Sequence, residues 1–309
     1  MQRFKTVCGD VSECDSGVAL AHEHICYSTQ QHNGEIADTL AEITALTRGD
    51  LMPLPLTEEQ RNAVRTADVI NLGSGPSAYA FDYMCSGVRG FNFGMTPSTF
   101  AMEQILIERL APDLPNGCAV ILTVCPFSFG KNNNDGNFRL RFSRYYQMLE
   151  STEAKKEIWF PYGVSREKKG CDKATLEIRT TSMLQIWEKE FDLSLTQNLP
   201  VDFDMIYRRN AEAFSVKRER LLQLYKTCEN LGLRPHILLP PMAQTLRRRL
   251  PDGLLQIFLY ENLQKLSGLR VLDCMDLMPD ADFCGPVFLG LCGAVRFTQS
   301  IAAEVLKEH

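Results

Sequence analysis

From Asp68 to the C-terminus, short apolar runs that end on glycine or proline alternate with longer segments of helical periodicity. Val69–Leu72 stops at Gly73, and Arg89–Phe93 stops at Gly94. Ala119–Val124 stops at Cys125-Pro126, His236–Leu239 at Pro240-Pro241, and Arg270–Asp273 closes the series. Runs this short and this apolar read as strands covered on both faces, and strands separated by helices pair in parallel. Helices are predicted after Thr96-Pro97, with Thr96 as N-cap, and over 211–230, 253–266 and 293–307. The pattern predicts a three-layer α/β/α sandwich around a parallel sheet of about five strands. Right-handed crossovers follow, and any site belongs at the C-terminal ends of the strands.

The alternation sets the organisation. Residues 1–60 read as an N-terminal extension and linker, with a β-like stretch, a turn at Asp15-Ser16-Gly17 and a helix over Ile36–Thr47. Residues 66–309 form the α/β domain. Residues 130–205 interrupt its rhythm and read as an insertion or cap, since they carry no second core of comparable size.

Composition narrows the function classes. The 309 residues are 45% hydrophobic and 23% charged, ordinary for a globular chain that buries its core without disulfides or metals. A net charge of -5 leaves no electrostatic footprint for nucleic acid, and Arg247-Arg248-Arg249 reads as a solvated helix face. No stretch approaches the roughly 18 apolar residues that span a bilayer. The N-terminus has no signal-peptide core, so the expected location is the cytoplasm. The 11 cysteines are odd in number, irregular in spacing and without a C-x-x-C pair, as suits reduced core thiols.

Four blocks carry the chemistry, each at a predicted strand end or in the C-terminal segment. They are Val69-Ile70-Asn71-Leu72-Gly73-Ser74-Gly75, Gly90-Phe91-Asn92-Phe93-Gly94, Val120-Ile121-Leu122-Thr123-Val124-Cys125-Pro126 and Gly285-Pro286-Val287-Phe288-Leu289-Gly290. In this order and spacing residues 66–309 resemble the SGNH/GDSL hydrolase superfamily, especially its DltD-like branch. The resemblance implies an SGNH-hydrolase or flavodoxin-like sheet and ancestral ester hydrolysis or O-acyl transfer, with a carbohydrate or acyl-group ligand and no cofactor.

The reactive residues of that family are missing here. A serine mechanism needs a hydroxyl on a sharp turn, a histidine in reach of its proton and a carboxylate to orient the histidine. The nucleophile position is Gly75, the base position Phe288 and the orienting position Gly285. The backbone parts are expected to survive, with Gly73, Ser74, Gly75, Gly94 and Ser128 lining a binding site. Ser74 and Ser77 are the candidates for a displaced nucleophile, although turn serines usually bond to backbone. Asp280 and Asp282 are the candidates for a displaced base, although loop carboxylates usually stay solvated. Of the five histidines, His22, His24, His32, His236 and His309, none precedes the C-terminal block closely, and His236 reads as a core-edge residue. Phe288 is expected to fold into the vacated cleft against Phe81 or Phe127.

A second resemblance covers residues 6–25. Thr6-Val7-Cys8-Gly9-Asp10 and Gly17-Val18-Ala19-Leu20-Ala21-His22-Glu23-His24-Ile25 look like the opening block of the phosphotriesterase family, whose His-x-His pair binds a metal. Alternate strand residues share a face, so His22 and His24 would reach one ion, with Glu23 or Asp10 as a further ligand. A binuclear centre needs more histidines than the chain has, and two ligands alone rarely hold zinc, so no bound metal is expected. The reading that follows is a binding or scaffold protein that has lost catalysis. An active esterase or carbohydrate O-acyltransferase with a displaced serine is the alternative. A metal-dependent hydrolase using His22 and His24 ranks below it.

Overall fold

The computed structural model describes residues 3–6, 9–12, 56–95, 98–130, 169–191, 193 and 201–307. The predicted helix Ile36–Thr47, the Asp15-Ser16-Gly17 turn, His22, His24 and the segment 131–168 lie outside the described residues. So do Glu23, His32, Thr96, Pro97 and His309.

Two strands of the N-terminal block, β1 (Arg3–Thr6) and β2 (Gly9–Ser12), pair antiparallel. The main sheet holds β3 (Val69–Leu72), β4 (Gly90–Asn92), β5 (Ala119–Thr123), β6 (Arg234–Leu239) and β7 (Val271–Asp273). All its pairings are parallel, in the spatial order β4-β3-β5-β6-β7. This is the five-stranded α/β sheet that the alternation predicts.

The two-residue period sorts the side chains to two cores. Ile70, Leu72, Val120, Leu122, Ile237 and Leu239 belong to one cluster, and Val69, Ala119, Ile121 and Leu238 to the other. Helices cover both faces. The larger core takes α4 (Phe100–Leu110) and α7 (Phe203–Asn230) through Leu106, Leu110, Phe214, Leu221 and Leu224. The smaller core takes α11 (Leu291–Val305) through Ala294, Phe297, Ile301 and Val305. Burying a phenylalanine such as Phe297 in this way stabilises the fold by about 1.5–3 kcal/mol.

Short elements complete the frame. Helix α1 (Glu58–Arg65) starts with a capping box in which Thr57 and Gln60 satisfy each other's backbone amides. Helices α2 (Gly75–Ala80), α3 (Tyr83–Ser86) and α5 (Pro126–Phe129) follow β3 and β5. Helix α6 (Lys173–Glu190), capped by Asp172, lies within the predicted insertion. Helix α8 (Gln244–Arg247) follows β6. Helices α9 (Asp252–Leu255) and α10 (Glu261–Gln264) are joined by a π turn over Gln256–Tyr260. The buried Asn262 amide donates to the Ile257 carbonyl oxygen there and accepts from Arg218 Nη1. A hairpin of β8 (Phe283–Gly285) and β9 (Phe288–Leu289) precedes α11.

The structure corrects two helix starts. Helix α4 starts at Phe100 and is capped by Thr99, whose Oγ1 accepts from Met102 N at 3.3 Å, so Thr96 is not its N-cap. Helix α7 starts at Phe203, not 211, because Asp202 caps it and Ile206 and Phe214 carry its apolar stripe into the core. The arginine run is not simply solvated: Arg247 pairs with Asp276 and Arg249 with Glu177, while Arg248 donates to Gln244 Oε1. Cys118, Cys125, Cys228, Cys274 and Cys292 are free thiols. Among the described residues no helix is long and apolar enough to cross a membrane.

Candidate functional site

The chain leaves β3, turns outward to β4, then returns to β5 on the other side of β3. The segments after β3 and β5 therefore diverge, and open α/β sheets bind ligands at such a switch point. Here the two segments are Gly73-Ser74-Gly75 and Val124-Cys125-Pro126. The β8–β9 hairpin meets the same edge, where Pro286 accepts a hydrogen bond from Ala243 N at 2.9 Å. Gly75, Gly94, Cys125 and the Phe288 hairpin thus lie at one edge of the sheet.

The turn is held from beneath. Gly73 has φ +135°, a conformation that suits glycine, and a Cβ there would stand 2.8 Å from both Ser77 Cβ and Thr123 Cβ. Ser77 Oγ donates to the Leu72 carbonyl oxygen at 2.9 Å, accepts from Asn71 Nδ2 at 2.9 Å and lies 2.9 Å from Thr123 Oγ1. Asn71 Nδ2 also donates to Asn92 Oδ1 at 2.8 Å. Asn92 Nδ2 in turn donates to the carbonyl oxygens of Ala78 and Phe81. Asn71, Ser77, Asn92 and Thr123 are all buried. They form a polar knot that ties three strands to α2.

Each candidate side chain has a definite place. Ser77 is fully buried in the knot and closed to any substrate. Ser74 is the N-cap residue of α2 but makes no capping bond with its side chain. Its Oγ lies 3.7 Å from Cys125 Sγ, and Cys125 Sγ lies 3.7 Å from Ser128 Oγ. Burial raises the Cys125 thiol pKa, against smaller lowering by hydrogen bonds from Ser128, Ser74 and nearby backbone amides. A neutral thiol does not take a proton from serine. Gly94 sits where a Cβ would be 2.4 Å from Ala78 N, and its amide donates to Asn92 Oδ1, so it is not aimed at a ligand anion.

The C-terminal candidates are occupied elsewhere. Both Asp280 oxygens cap α8, accepting from Gln244 N and from Thr245 N and Oγ1. Asp282 is buried and paired with Arg296. His236 lies inside β6, beside Ile121 of β5, and not at a strand opening. Phe288 is half-buried and packs on Tyr79, ring centroids 4.6 Å apart. Its expected partners pack elsewhere, Phe81 on Tyr83 and Phe297, Phe127 on Trp187 and Phe191. The reason is the hairpin, which brings Phe288 alongside α2 and leaves Val287 to face the crevice.

That crevice has a volume of about 10 Å³, the lower limit for one water. It is lined by apolar groups that include Cys125, Phe127, Trp187, Met275 and Val287. Among the described residues no group of three histidine, cysteine or acidic side chains is placed to hold a metal. We found no protein-family model that matches the chain and no curated protein with significant similarity to it.

Sequence reading missed the knot. Asn71 and Asn92 stand in the quoted blocks as strand residues, and their only signal is a polar residue inside an otherwise apolar run.

Proposed function

We propose that the chain is a non-catalytic binding protein of SGNH-hydrolase-like architecture. Its switch-point turn serves as one wall of a ligand site after the serine chemistry has gone. Ser74 carries the reading: the turn serine faces a thiol that burial holds neutral, where a serine hydrolase needs a base. The Asp280 carboxylate caps α8, and Phe288, which the resemblance assigns to the base position, packs on Tyr79. An acyl group is favoured over a carbohydrate as ligand because the crevice beside Cys125 is apolar, although at about 10 Å³ it admits an acyl chain only when its lining side chains move aside. Met275 and Met242 line it, and unbranched thioethers adapt readily to an incoming apolar group. A cytoplasmic location belongs to the same reading and is supported by the buried free thiols of Cys118, Cys125, Cys228 and Cys274.

The test is hydrolysis of short p-nitrophenyl esters by the full chain. The rate should stay near that of buffer and be unchanged in Ser74→Ala. Turnover abolished by Ser74→Ala would instead establish the displaced-nucleophile esterase.

A further inference from the structure

Glu103 lies in the first turns of α4, on the side that packs against α7, and is 3% exposed. One oxygen, Oε1, accepts from Ser98 Oγ at 2.7 Å. The other, Oε2, is buried without a hydrogen-bond partner. From α7 the titratable group that faces it is the Cys228 thiol, whose ionisation a charge on Glu103 opposes. Of the α7 cations, Lys217 donates to the Gly130 carbonyl oxygen and Arg218 to Asn262 Oδ1. On α4 itself, Glu108 accepts from Gln104 and Arg109 bears a burial penalty of its own. Tyr225 on α7 is influenced by Glu229, Cys228 and Arg270.

A carboxylic acid tolerates this place and a carboxylate does not. A buried charge with one donor loses its hydration without replacement. The helix N-terminus favours the anion, but only weakly compared with burial. Burial accordingly raises the Glu103 pKa to about 7, against a smaller lowering by Ser98. Ser98 belongs to the segment that enters α4 from β4. Just upstream, Met95 N donates to the Gly73 carbonyl oxygen at 2.8 Å, at the switch-point turn.

We propose that Glu103 is a proton-linked latch. As the neutral acid it holds the Ser98–Thr99 entry of α4 against α7. As the carboxylate it draws the first turn of α4 towards water and loosens the Met95–Gly73 contact. The latch works whatever the site binds, and it makes the wall of the site sensitive to pH near neutrality.

The sign follows from linkage. The folded chain holds this proton more tightly than the unfolded chain, so its contribution is complete below the unfolded value of 4.5 and is lost as pH rises through about 7. Urea unfolding of the full chain and of Glu103→Gln across pH 5–9 tests the idea. The wild-type folding constant should fall relative to the variant by up to tenfold per pH unit between about pH 5 and 7, then level off. Amide-exchange protection of Met95 and Met102 should drop between pH 6 and 8 in the wild type and hold in Glu103→Gln. Identical pH dependence in both proteins, or protection that does not change with pH in the wild type, overturns the latch. If Glu103→Gln does not fold, Ser98→Ala decides: losing a donor that favours the charged form should move the wild-type transition to higher pH, and an unmoved transition overturns the proposal.

Discussion

Among the buried polar groups of the molecule, two sets are treated differently. Beneath the Gly73–Gly75 turn, Asn71, Ser77, Asn92 and Thr123 share their hydrogen bonds across three strands and a helix. At the α4–α7 interface, Glu103 has one donor and an orphan oxygen; Asn71 Oδ1 in the knot is also without a partner, but an amide does not titrate. A linked network fixes geometry, whereas a partly satisfied titratable group stores a free-energy penalty that protons control. The candidate site thus rests on a rigid, pH-indifferent base, and the pH-sensitive element stands one loop away.

The comparison can be broken most severely at Gly73. Gly73→Ala places a Cβ against Ser77 and Thr123 at a positive φ, and should cost about 2–6 kcal/mol in urea unfolding. Gly117→Ala is the control. It has φ +77° but nothing within 4 Å of a Cβ, so it should cost only about 1–2 kcal/mol. Next in size is Asn71→Leu. It removes two hydrogen bonds, to Ser77 and Asn92, and should cost about 1–3 kcal/mol in all, since Asn92 Oδ1 keeps the Gly94 amide and Ser77 keeps Leu72 and Thr123. The loss should be equal at pH 6 and pH 8, because nothing in the knot titrates there; a strongly pH-dependent loss would erase the distinction from Glu103. Asp280→Ala, which removes the cap of α8, should cost about 0.5–2 kcal/mol by thermal or urea unfolding. Smallest of all, Ser74→Ala should change stability by no more than about 0.5 kcal/mol, since Ser74 lies outside the knot and makes no side-chain cap.

Much of the frame was legible in the sequence. The Val69–Leu72 and Ala119–Thr123 strands are apolar at nearly every position, and Gly73 announces the turn between β3 and α2. The start of α4 was less legible, because 96–99 offers more than one hydroxyl residue and the choice of Thr99 depends on packing of Phe100 and Met102. Of the eight extra residues at the start of α7, Phe203, Met205, Ile206 and Tyr207 are apolar or aromatic but only Ile206 is buried, so their helicity depends on Asp202 and on packing of Ile206. The knot could not be read from local pattern. Asn71 and Asn92 meet because parallel register places their Cα atoms side by side, and Thr123 arrives from a third strand. Glu103 is harder still, since a single glutamate in a helix reads as solvated until the partner helix is in place.

The central claim is that the switch-point turn no longer carries a reactive serine. Incubating the native chain with a serine-directed fluorophosphonate and measuring intact mass tests it most directly, because an activated hydroxyl displaces fluoride and retains the phosphonyl group. The account predicts an unmodified mass. A stoichiometric phosphonyl adduct that disappears in Ser74→Ala would contradict it.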